Sequence, residues 1–296
     1  MKKSNIIYLI FLLTLAACSN AELSFSGADD QLTAGEELTL LNYEVTFNSG
    51  EIEFHSLQNN LETEVLLNSI RKSELIYNQD QLTSITEYNQ DQTIKDSRTY
   101  NYDTSGNVIS MDEVNVYSAL SNNSNYNRVI NYNGNVISYE IPQAFFLGEV
   151  FQIELTFNAD GLIEELKQSN SFTNNTEAIY NFVYDENENC TRVNITRLLG
   201  GTTIEQAYNY IYDNRVNPFY THKKTNYVPL LLLYGQALII GNDLSVLIRN
   251  FGKNNVIRTD SQFIQYTYNS NNYPVEATVR QVGINTVLST AVFNYQ

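Results

Sequence analysis

Hydrophobic and polar residues alternate in short runs along most of this chain, and the runs recur at a regular interval. Ten times a run closes with an apolar residue, any residue and a second apolar residue, usually Tyr or Phe. The second members stand 25 to 30 residues apart, and nine of the ten are followed at once by Asn, Asp or Gly. The pairs are Val45/Phe47, Leu75/Tyr77, Tyr100/Tyr102, Ile130/Tyr132, Leu155/Phe157, Phe182/Tyr184, Tyr210/Tyr212, Leu238/Ile240, Tyr266/Tyr268 and Phe293/Tyr295. A period of this length indicates one repeated supersecondary unit.

The alternation has the period of a β-strand. Residues 208–212 place three Tyr on one face, and residues 180–184 place Tyr, Phe and Tyr likewise. Asn and Asp favour turns because they bond to their own backbone and tolerate left-handed dihedral angles. After each turn a return strand is predicted to begin on an apolar residue; these residues are Ile52, Leu82, Val108, Val136, Leu162, Cys190 and Leu244.

The individual turns have recognisable chemistry. Asn133-Gly134 stands where a two-residue type I′ hairpin turn favours this dipeptide. Residues 103–106 and 158–161 predict slightly longer hairpin loops with Gly near their ends.

Two strands per unit over ten units predict roughly eighteen to twenty strands in one long antiparallel meander. A sheet of that size twists and must curl or fold onto itself. The expected fold is therefore all-β, a meander of repeated hairpins curled into a barrel-like or wrapped sheet. It forms a single domain over residues 36–296.

One segment departs from the alternation. Residues 228–238 are apolar without a period of two, and Pro229 suits the first position of a short helix. A helix or plug at one end of the curled sheet is favoured. The alternative is a degenerate hairpin that turns at residues 241–243, since Ile240 keeps the spacing of 28 residues from both Tyr212 and Tyr268.

The first residues have the order of a secretory signal peptide, with Lys2 and Lys3 before a short apolar stretch and small residues. The stretch is shorter than the ~20 residues of a membrane-spanning helix. Leu15-Ala16-Ala17-Cys18 resembles the lipobox of bacterial lipoproteins. The resemblance implies cleavage after residue 17 and lipid, such as palmitate, on Cys18. An ordinary secretory signal is the alternative.

The lipobox resemblance also implies a location. Residues 18–35 are then a polar, lipidated tether, and the membrane is a partner through the lipid on Cys18. Ser19 at the position after the lipidated Cys resembles lipoproteins sent to the outer membrane. The periplasmic face and the cell surface remain open alternatives.

Composition narrows the possible partners. The chain has 17 basic and 33 acidic side chains. Loss of residues 1–17 would remove the two basic residues Lys2 and Lys3 and no acidic one, and so increase the negative charge. This balance argues against nucleic-acid binding, which needs clustered Lys and Arg. Cys190 would be the single Cys besides Cys18, so no internal disulfide is expected, and a buried hydrophobic role is favoured for it. The 22 Tyr and 14 Phe must supply much of the core.

Several units resemble known repeats. Residues 100–108 (Tyr-Asn-Tyr-Asp-Thr-Ser-Gly-Asn-Val) and 182–187 (Phe-Val-Tyr-Asp-Glu-Asn) resemble the Tyr-Asp repeats of the Rhs family. That resemblance implies a wrapping β-shell and no catalytic residue. Residues 212–219, 251–256 and 267–274 look like parts of uncharacterised flavobacterial-type lipoproteins. Many units carry Asn where the Rhs repeat has Asp.

Candidate chemistry is sparse. His55 and His222 are the two His of the chain, and neither has a second His or Cys at ligand spacing, so no metal site is predicted. Residues 185–189 begin like a calcium loop, but Cys190 and Thr196 stand where that loop needs Gly and Glu. A hairpin turn explains the segment better. No cofactor fingerprint and no catalytic residue are identified.

The sequence thus favours a non-enzymatic cell-envelope lipoprotein that acts as a binding or scaffold module. Its Tyr- and Asn-rich strands suit a glycan or protein ligand, although the same Tyr could simply fill the core. The alternative is a hydrolase that acts on envelope or extracellular polymers, with His55 or His222 as the candidate base.

Overall fold

The structure is a computed structural model that describes residues 37–115, 124–142, 150–170, 176–199, 201–220, 226–232 and 252–296. Within these residues the chain forms nineteen β-strands. They are β1 Leu40–Phe47, β2 Ile52–Gln58, β3 Leu61–Leu67, β4 Ile70–Asn78, β5 Gln81–Tyr88, β6 Ile94–Tyr102, β7 Val108–Asn115, β8 Ser124–Val129, β9 Asn131–Asn133, β10 Val136–Pro142, β11 Val150–Phe157, β12 Ile163–Asn170, β13 Thr176–Tyr184, β14 Cys190–Leu199, β15 Thr202–Val216, β16 Asn254–Thr259, β17 Gln262–Tyr268, β18 Pro274–Gln281 and β19 Val287–Tyr295. No helix in the described ranges is long and apolar enough to cross a membrane.

The expected antiparallel meander is confirmed, and it curls until its first and last strands meet. β1 pairs with β2 on one side and with β19 on the other. The terminal strands are joined further by reciprocal hydrogen bonds between the backbones of Thr39 and Gln296, with N–O distances of 3.2 and 3.0 Å. This pairing removes two free edges, which would otherwise be available to other chains.

On the other side of the molecule one bent segment joins the two halves of the shell. β8 pairs with β7, and β9 pairs with β10. Ile130 alone separates β8 from β9, and its N–H donates to the carbonyl of Ile109 on β7 at 2.9 Å. The long strand β15 plays a similar part, because its first half pairs with β14 and its second half with β16.

Several hairpins use the turn-former that follows the repeated apolar pair. The Oδ1 atom of Asp103 accepts hydrogen bonds from the backbone N–H groups of Ser105 and Asn107, at 2.8 and 2.9 Å. Asn158, Asp185 and Asn269 accept from the residues two and four positions later in the same way. The side chain thus satisfies turn N–H groups, as the sequence analysis expected of Asn and Asp.

A β-bulge follows several of these turns, near the start of the return strand. Tyr102 faces Val108, but the residue before it, Asn101, faces Ser110, so Ile109 is an extra residue in β7. The same shift occurs between Thr156 and Phe157, between Val183 and Tyr184, and between Thr267 and Tyr268. Bulges increase local twist, which helps a long sheet to curl.

The aromatic anchors at these bulges are linked from one unit to the next. The Tyr102 hydroxyl donates to the carbonyl of Leu82, the residue that faces the preceding anchor, Tyr77. Tyr132, Tyr184, Tyr212 and Tyr295 donate likewise to the carbonyls of Val108, Ile163, Cys190 and Pro274, at 2.8 to 2.9 Å. We call the end of the shell where these Tyr lie the anchor end, and the opposite one the far end.

The position of Phe47 and the type of the turn after Asn133 differ from what the sequence pattern predicts. The pair Val45/Phe47 does not lie at the anchor end. Phe47 is the last residue of β1 and Tyr77 lies near the end of β4, and the three chain reversals between these positions place the two residues at opposite ends of the shell. The turn at Asn133-Gly134 is also not type I′. Its two loop residues are Gly134 and Asn135, and Gly134 has a φ of 63° while Asn135 does not lie at positive φ, which is the type II′ pattern.

The short segment after β15 enters the core at the anchor end. Residues 227–232 are helical, and Leu231 and Leu232 are fully buried. They pack in one cluster with residues of β4 to β15, including Leu82, Tyr100 and Phe182. The predicted helix or plug is therefore confirmed over residues 228–232. The rest of that prediction, and the units at Ile240 and Leu244, lie outside the described residues.

The outer face of the shell mixes hydrogen-bonded polar side chains with exposed apolar ones, among them Ile70, Ile76 and Val129. On β6 to β8, exposed Asn101 donates to Ser110 and Asp112, and Asn127 donates to Asp112, at 2.6 to 3.0 Å. Some exposed apolar residues face polar ones across the strands: Ile76 faces Ser84, Val129 faces Ser110, Val183 faces Arg192, Ile211 faces Arg258 and Val292 faces Glu276. Exposed Ile70, by contrast, faces Leu67. Apolar residues of the alternating pattern point mainly inward.

Candidate functional site

The residues predicted to carry chemistry are scattered. Cys18 and His222 lie outside the described residues, so the structure does not test lipidation or a role for His222. Cys190 is 1% exposed on β14, and burial raises the pKa of its thiol to about 12. A thiol with that pKa stays protonated at neutral pH, which fits the expected role as a small buried hydrophobe.

His55 lies in an ionic cluster on the inner side of β1 to β3. Its ring stacks on Tyr43, with centroids 4.1 Å apart and planes inclined by 10°. Its Nδ1 is 2.5 Å from Oε1 of Glu62, and its Nε2 is 3.5 Å from Oε2 of Glu53. Lys72 Nζ also contacts Glu53, at 2.5 Å. We call these five residues the His55 cluster.

The electrostatics of this cluster favour an imidazolium ion at neutral pH. Burial alone would lower the pKa of His55, but hydrogen bonds to Glu53 and Glu62 outweigh it and raise the pKa to about 9. Burial likewise acts against ionised Glu53, while His55 and Lys72 bring the pKa of Glu53 to about 2. A general base needs an unprotonated nitrogen near neutral pH. His55, which holds protons on both nitrogens between two carboxylates, is not arranged as one.

The acidic loop at residues 185–189 is a hairpin turn, as favoured over calcium binding. Oδ1 of Asp185 accepts two backbone N–H groups, and its Oδ2 accepts from the side chain of Asn189 at 3.0 Å. A shallow groove of about 480 Å³ runs between this loop and Asn158. In the parts of the chain that the structure describes, no group of three or more His, Cys, Asp or Glu is placed to hold a metal ion.

Several of the repeated Tyr side chains lie inside the shell rather than on its outer face. Tyr100, Tyr139, Tyr180 and Tyr210 are buried in the core. The hydroxyl of Tyr100 donates to the carbonyl of Pro229 at 3.1 Å and so fixes the helical segment. These Tyr fill the core, which the sequence analysis gave as the alternative to ligand binding by Tyr-rich strands.

A second ionic group, which the sequence analysis did not identify, lies in the far half of the shell. We call it the buried ion network: Glu87, Asp96, Arg98, Glu113 and Arg128. Arg98 on β6 faces Glu113 on β7 directly, and its Nε donates to Glu113 Oε1 at 3.2 Å. Arg98 also contacts Asp96, and Arg128 on β8 contacts the other oxygen of Glu113. The Glu113 side chain is 0% exposed.

The network is incompletely satisfied. Burial raises the pKa of Asp96 to about 6 in spite of the nearby Arg98 guanidinium. Within the described part of the chain, Oδ1 of Asp96 and Nε and Nη1 of Arg128 are buried without a hydrogen-bond partner, and so is the hydroxyl of Tyr139 outside the network. Most buried polar groups in proteins are hydrogen-bonded, and unfilled ones in a cluster are candidates for binding.

Comparison with known proteins gives no family. No family model matches the chain, and no curated protein matches it. Among solved structures, it is similar to a porin-like protein from Bacteroides vulgatus, with 13% identity over 88% of this chain and 99% of that one and a TM-score of 0.42. A porin-like protein from Bacteroides uniformis is 7% identical over 88% and 98% of the two chains, with a TM-score of 0.35. The Tc holotoxin pore of Photorhabdus luminescens is 8% identical over 84% of this chain and 18% of that one, with a TM-score of 0.23. These TM-scores are low, and the function of this chain is therefore inferred from its own residues.

The sequence contained a signal for the buried ion network. Asp96 and Arg98 occupy the inward positions of β6, in step with Tyr100, and Glu113 follows Met111 on β7 in the same way. Charged residues at positions that the strand period assigns to the core mark buried pairs or sites. Their partners in space could not be assigned without the register of four strands.

Proposed function

We propose that this chain is a non-enzymatic, lipid-anchored module of the bacterial cell envelope, held by lipid on Cys18 at the outer membrane. The observation that carries the proposal is the sidedness of the shell: its core is apolar and aromatic, and hydrogen-bonded Asn, Ser and Asp lie outside among scattered exposed apolar residues. Because the exposed apolar residues are interspersed with polar ones, we attribute attachment to a membrane to the N-terminal lipid rather than to the strands.

The proposed role is to bind or hold a partner, with a protein or a glycan as the candidate class. Tyr100, Tyr139, Tyr180 and Tyr210 are not available for it, since they are buried in the core. Contacts would instead come from the polar outer strands or from the far end of the shell. The acidic charge of the chain disfavours nucleic acid as a partner.

The absence of catalysis is part of the proposal. Its support is the state of His55, which the neighbouring carboxylates hold as a cation. A panel of ester, glycoside and peptide substrates tests this point. Turnover that disappears in His55→Gln, while the variant keeps the folded spectrum of the wild type, would overturn it.

Lipid anchoring is tested by metabolic labelling with a clickable palmitate analogue in a Gram-negative host, followed by separation of membrane and soluble fractions. Wild type and the control Cys190→Ala are expected to be labelled and to sediment with the outer membrane. Cys18→Ser is expected to lose the label and to leave the outer-membrane fraction. A Cys18→Ser protein that is still labelled, or that stays in the outer membrane after an alkaline wash, contradicts the proposal.

A further inference from the structure

Arg128 has more hydrogen-bonding capacity than the surrounding protein uses. Its side chain is 2% exposed, and one nitrogen, Nη2, contacts Glu113. Its Nε and Nη1 atoms have no partner. A guanidinium has five N–H groups, and three of them belong to these two atoms. Leaving such donors empty in the interior is costly, since each unfilled buried group loses its hydration.

Tyr139 offers a further donor on the inner side of the shell, where β9, which a single residue separates from β8, pairs with β10. It lies on β10, is 1% exposed and has a hydroxyl without a partner. Burial raises the pKa of this hydroxyl, and the charge of Arg128 acts in the opposite direction, so the two groups interact electrostatically. With its pKa raised, Tyr139 keeps its proton at neutral pH and can donate it to an acceptor.

Of the two Arg in the buried ion network, Arg128 has fewer carboxylate neighbours than Arg98. Arg98 lies within 4 Å of carboxylates from Asp96, Glu113 and Glu87. Arg128, by contrast, contacts Glu113, which it shares with Arg98. Among the ion pairs of the described residues, no second carboxylate reaches Arg128. The free side of its guanidinium is therefore electropositive.

We propose that Arg128 and Tyr139 form an internal binding site for an oxyanion, a carboxylate or phosphate group of a small solute. Both residues offer donors, and a charged acceptor forms stronger hydrogen bonds to a guanidinium than a water molecule does. The solute would complete the buried ion network. This inference specifies a ligand class for the proposed binding module, but it does not depend on the lipid anchor.

The test is thermal unfolding of the full chain in detergent during titration with acetate or inorganic phosphate. Sodium chloride keeps the ionic strength constant, and acetamide serves as the neutral analogue of acetate. A ligand that binds the native state raises the midpoint with its concentration. We expect a rise with acetate, phosphate or both, and none with acetamide. The anion with the larger effect identifies a carboxylate or a phosphate as the preferred group.

Three variants localise the effect. Tyr139→Phe removes one buried oxygen and is expected to weaken binding about ten-fold, which corresponds to ~1.4 kcal/mol. Arg128→Lys, which keeps the charge but loses the planar donors, is expected to weaken it at least as much. Arg192→Lys, on the outer face of β14, is the control and should bind as the wild type does.

The outcomes decide clearly. No midpoint change with either anion means that the donors are met by water, and the proposal is wrong. An equal response in Tyr139→Phe and the wild type places the anion elsewhere and is equally fatal. If Arg128→Lys does not fold, the comparison of Tyr139→Phe with the wild type still tests the proposal, because Phe keeps the aromatic ring and its packing. Palmitate labelling is independent of all these results, so failure here leaves the anchoring proposal unaffected.

Discussion

The hydroxyl of Tyr212 donates a 2.8 Å hydrogen bond to the backbone carbonyl of Cys190, the residue that faces the preceding anchor, Tyr184. Tyr184 makes the equivalent bond to Ile163 at 2.9 Å. Where the anchor is one of these Tyr, the repeat is fixed to the one before it through an aromatic ring and a main-chain acceptor. The repeated Tyr of the sequence is explained by this bond as well as by apolar packing, since Phe would provide only the packing.

Tyr212→Phe is expected to lower the free energy of unfolding by about 1 kcal/mol, the net value of one such hydrogen bond. Urea unfolding followed by circular dichroism measures it. Tyr208→Phe on the same strand is the matched control, because no hydrogen bond from its hydroxyl occurs among the described residues. Equal effects of the two substitutions would argue that the bond contributes nothing.

Several hairpin turns begin with Asn or Asp, and the fourth residue of each, counted from that Asn or Asp, has a left-handed backbone. Residues other than Gly sometimes occupy this position. Gln92 has a φ of 65°, and Gly161 at the equivalent place has a φ of 76°. Gln92→Gly is expected to stabilise the protein by about 0.5–1 kcal/mol, because a residue with a Cβ is strained at this φ. The measurement is the midpoint of urea unfolding.

The reverse change provides the control for that prediction. A Cβ on Gly161 would have open space around it, so Gly161→Ala tests backbone conformation without a steric clash. It is expected to destabilise by about 1 kcal/mol. A stable Gly161→Ala protein would show that positive φ is not the origin of the Gly preference in these turns.

The His55 cluster predicts a pH-dependent stability. The pKa of His55 in the folded protein, about 9, lies above the unfolded value of 6.5. Its contribution is therefore complete below pH 6.5 and declines as pH rises towards 9. His55→Gln should cost roughly 3 kcal/mol at pH 6 and much less at pH 9.5, given about 1.4 kcal/mol per pKa unit.

Denaturant unfolding of wild type and His55→Gln at both pH values measures that difference. Comparing the two proteins at each pH cancels the titration of groups that they share. A stability difference that is the same at pH 6 and pH 9.5 contradicts an imidazolium held by Glu53 and Glu62.

Asn226 attaches the helical segment to the sheet. Its Oδ1 accepts the N–H of Leu82 at 2.8 Å, and its Nδ2 donates to the carbonyl of Asp80 at 2.9 Å. Asn226→Ala leaves both backbone groups without these partners and is expected to cost about 2–3 kcal/mol. Faster hydrogen exchange at the Leu82 amide is the measurement, and Asn101→Ala on the outer face is the control. An unchanged Leu82 amide would mean that the segment is held by its apolar contacts alone.

The sequence predicted local features well where one unit sufficed to specify them. The alternation around Tyr180 and Tyr210, and the turn-formers Asp103, Asn158 and Asp185, act within a few residues. It failed at β3, because the two-residue turns at Asn59-Asn60 and Asn68-Ser69 contain no Gly and were not recognised. All four of these residues have positive φ.

Taken by itself, the sequence determined the strand period, the repeated turn and the all-β class, since these depend on side-chain alternation and on turn chemistry between near neighbours. Only the tertiary structure decided that β1 pairs with β19, that Glu53 and Glu62 hold His55, and that Arg128 shares Glu113 with Arg98. Those contacts depend on the register and curl of the whole sheet. A shift of one residue in register would turn each charged side chain to the opposite face.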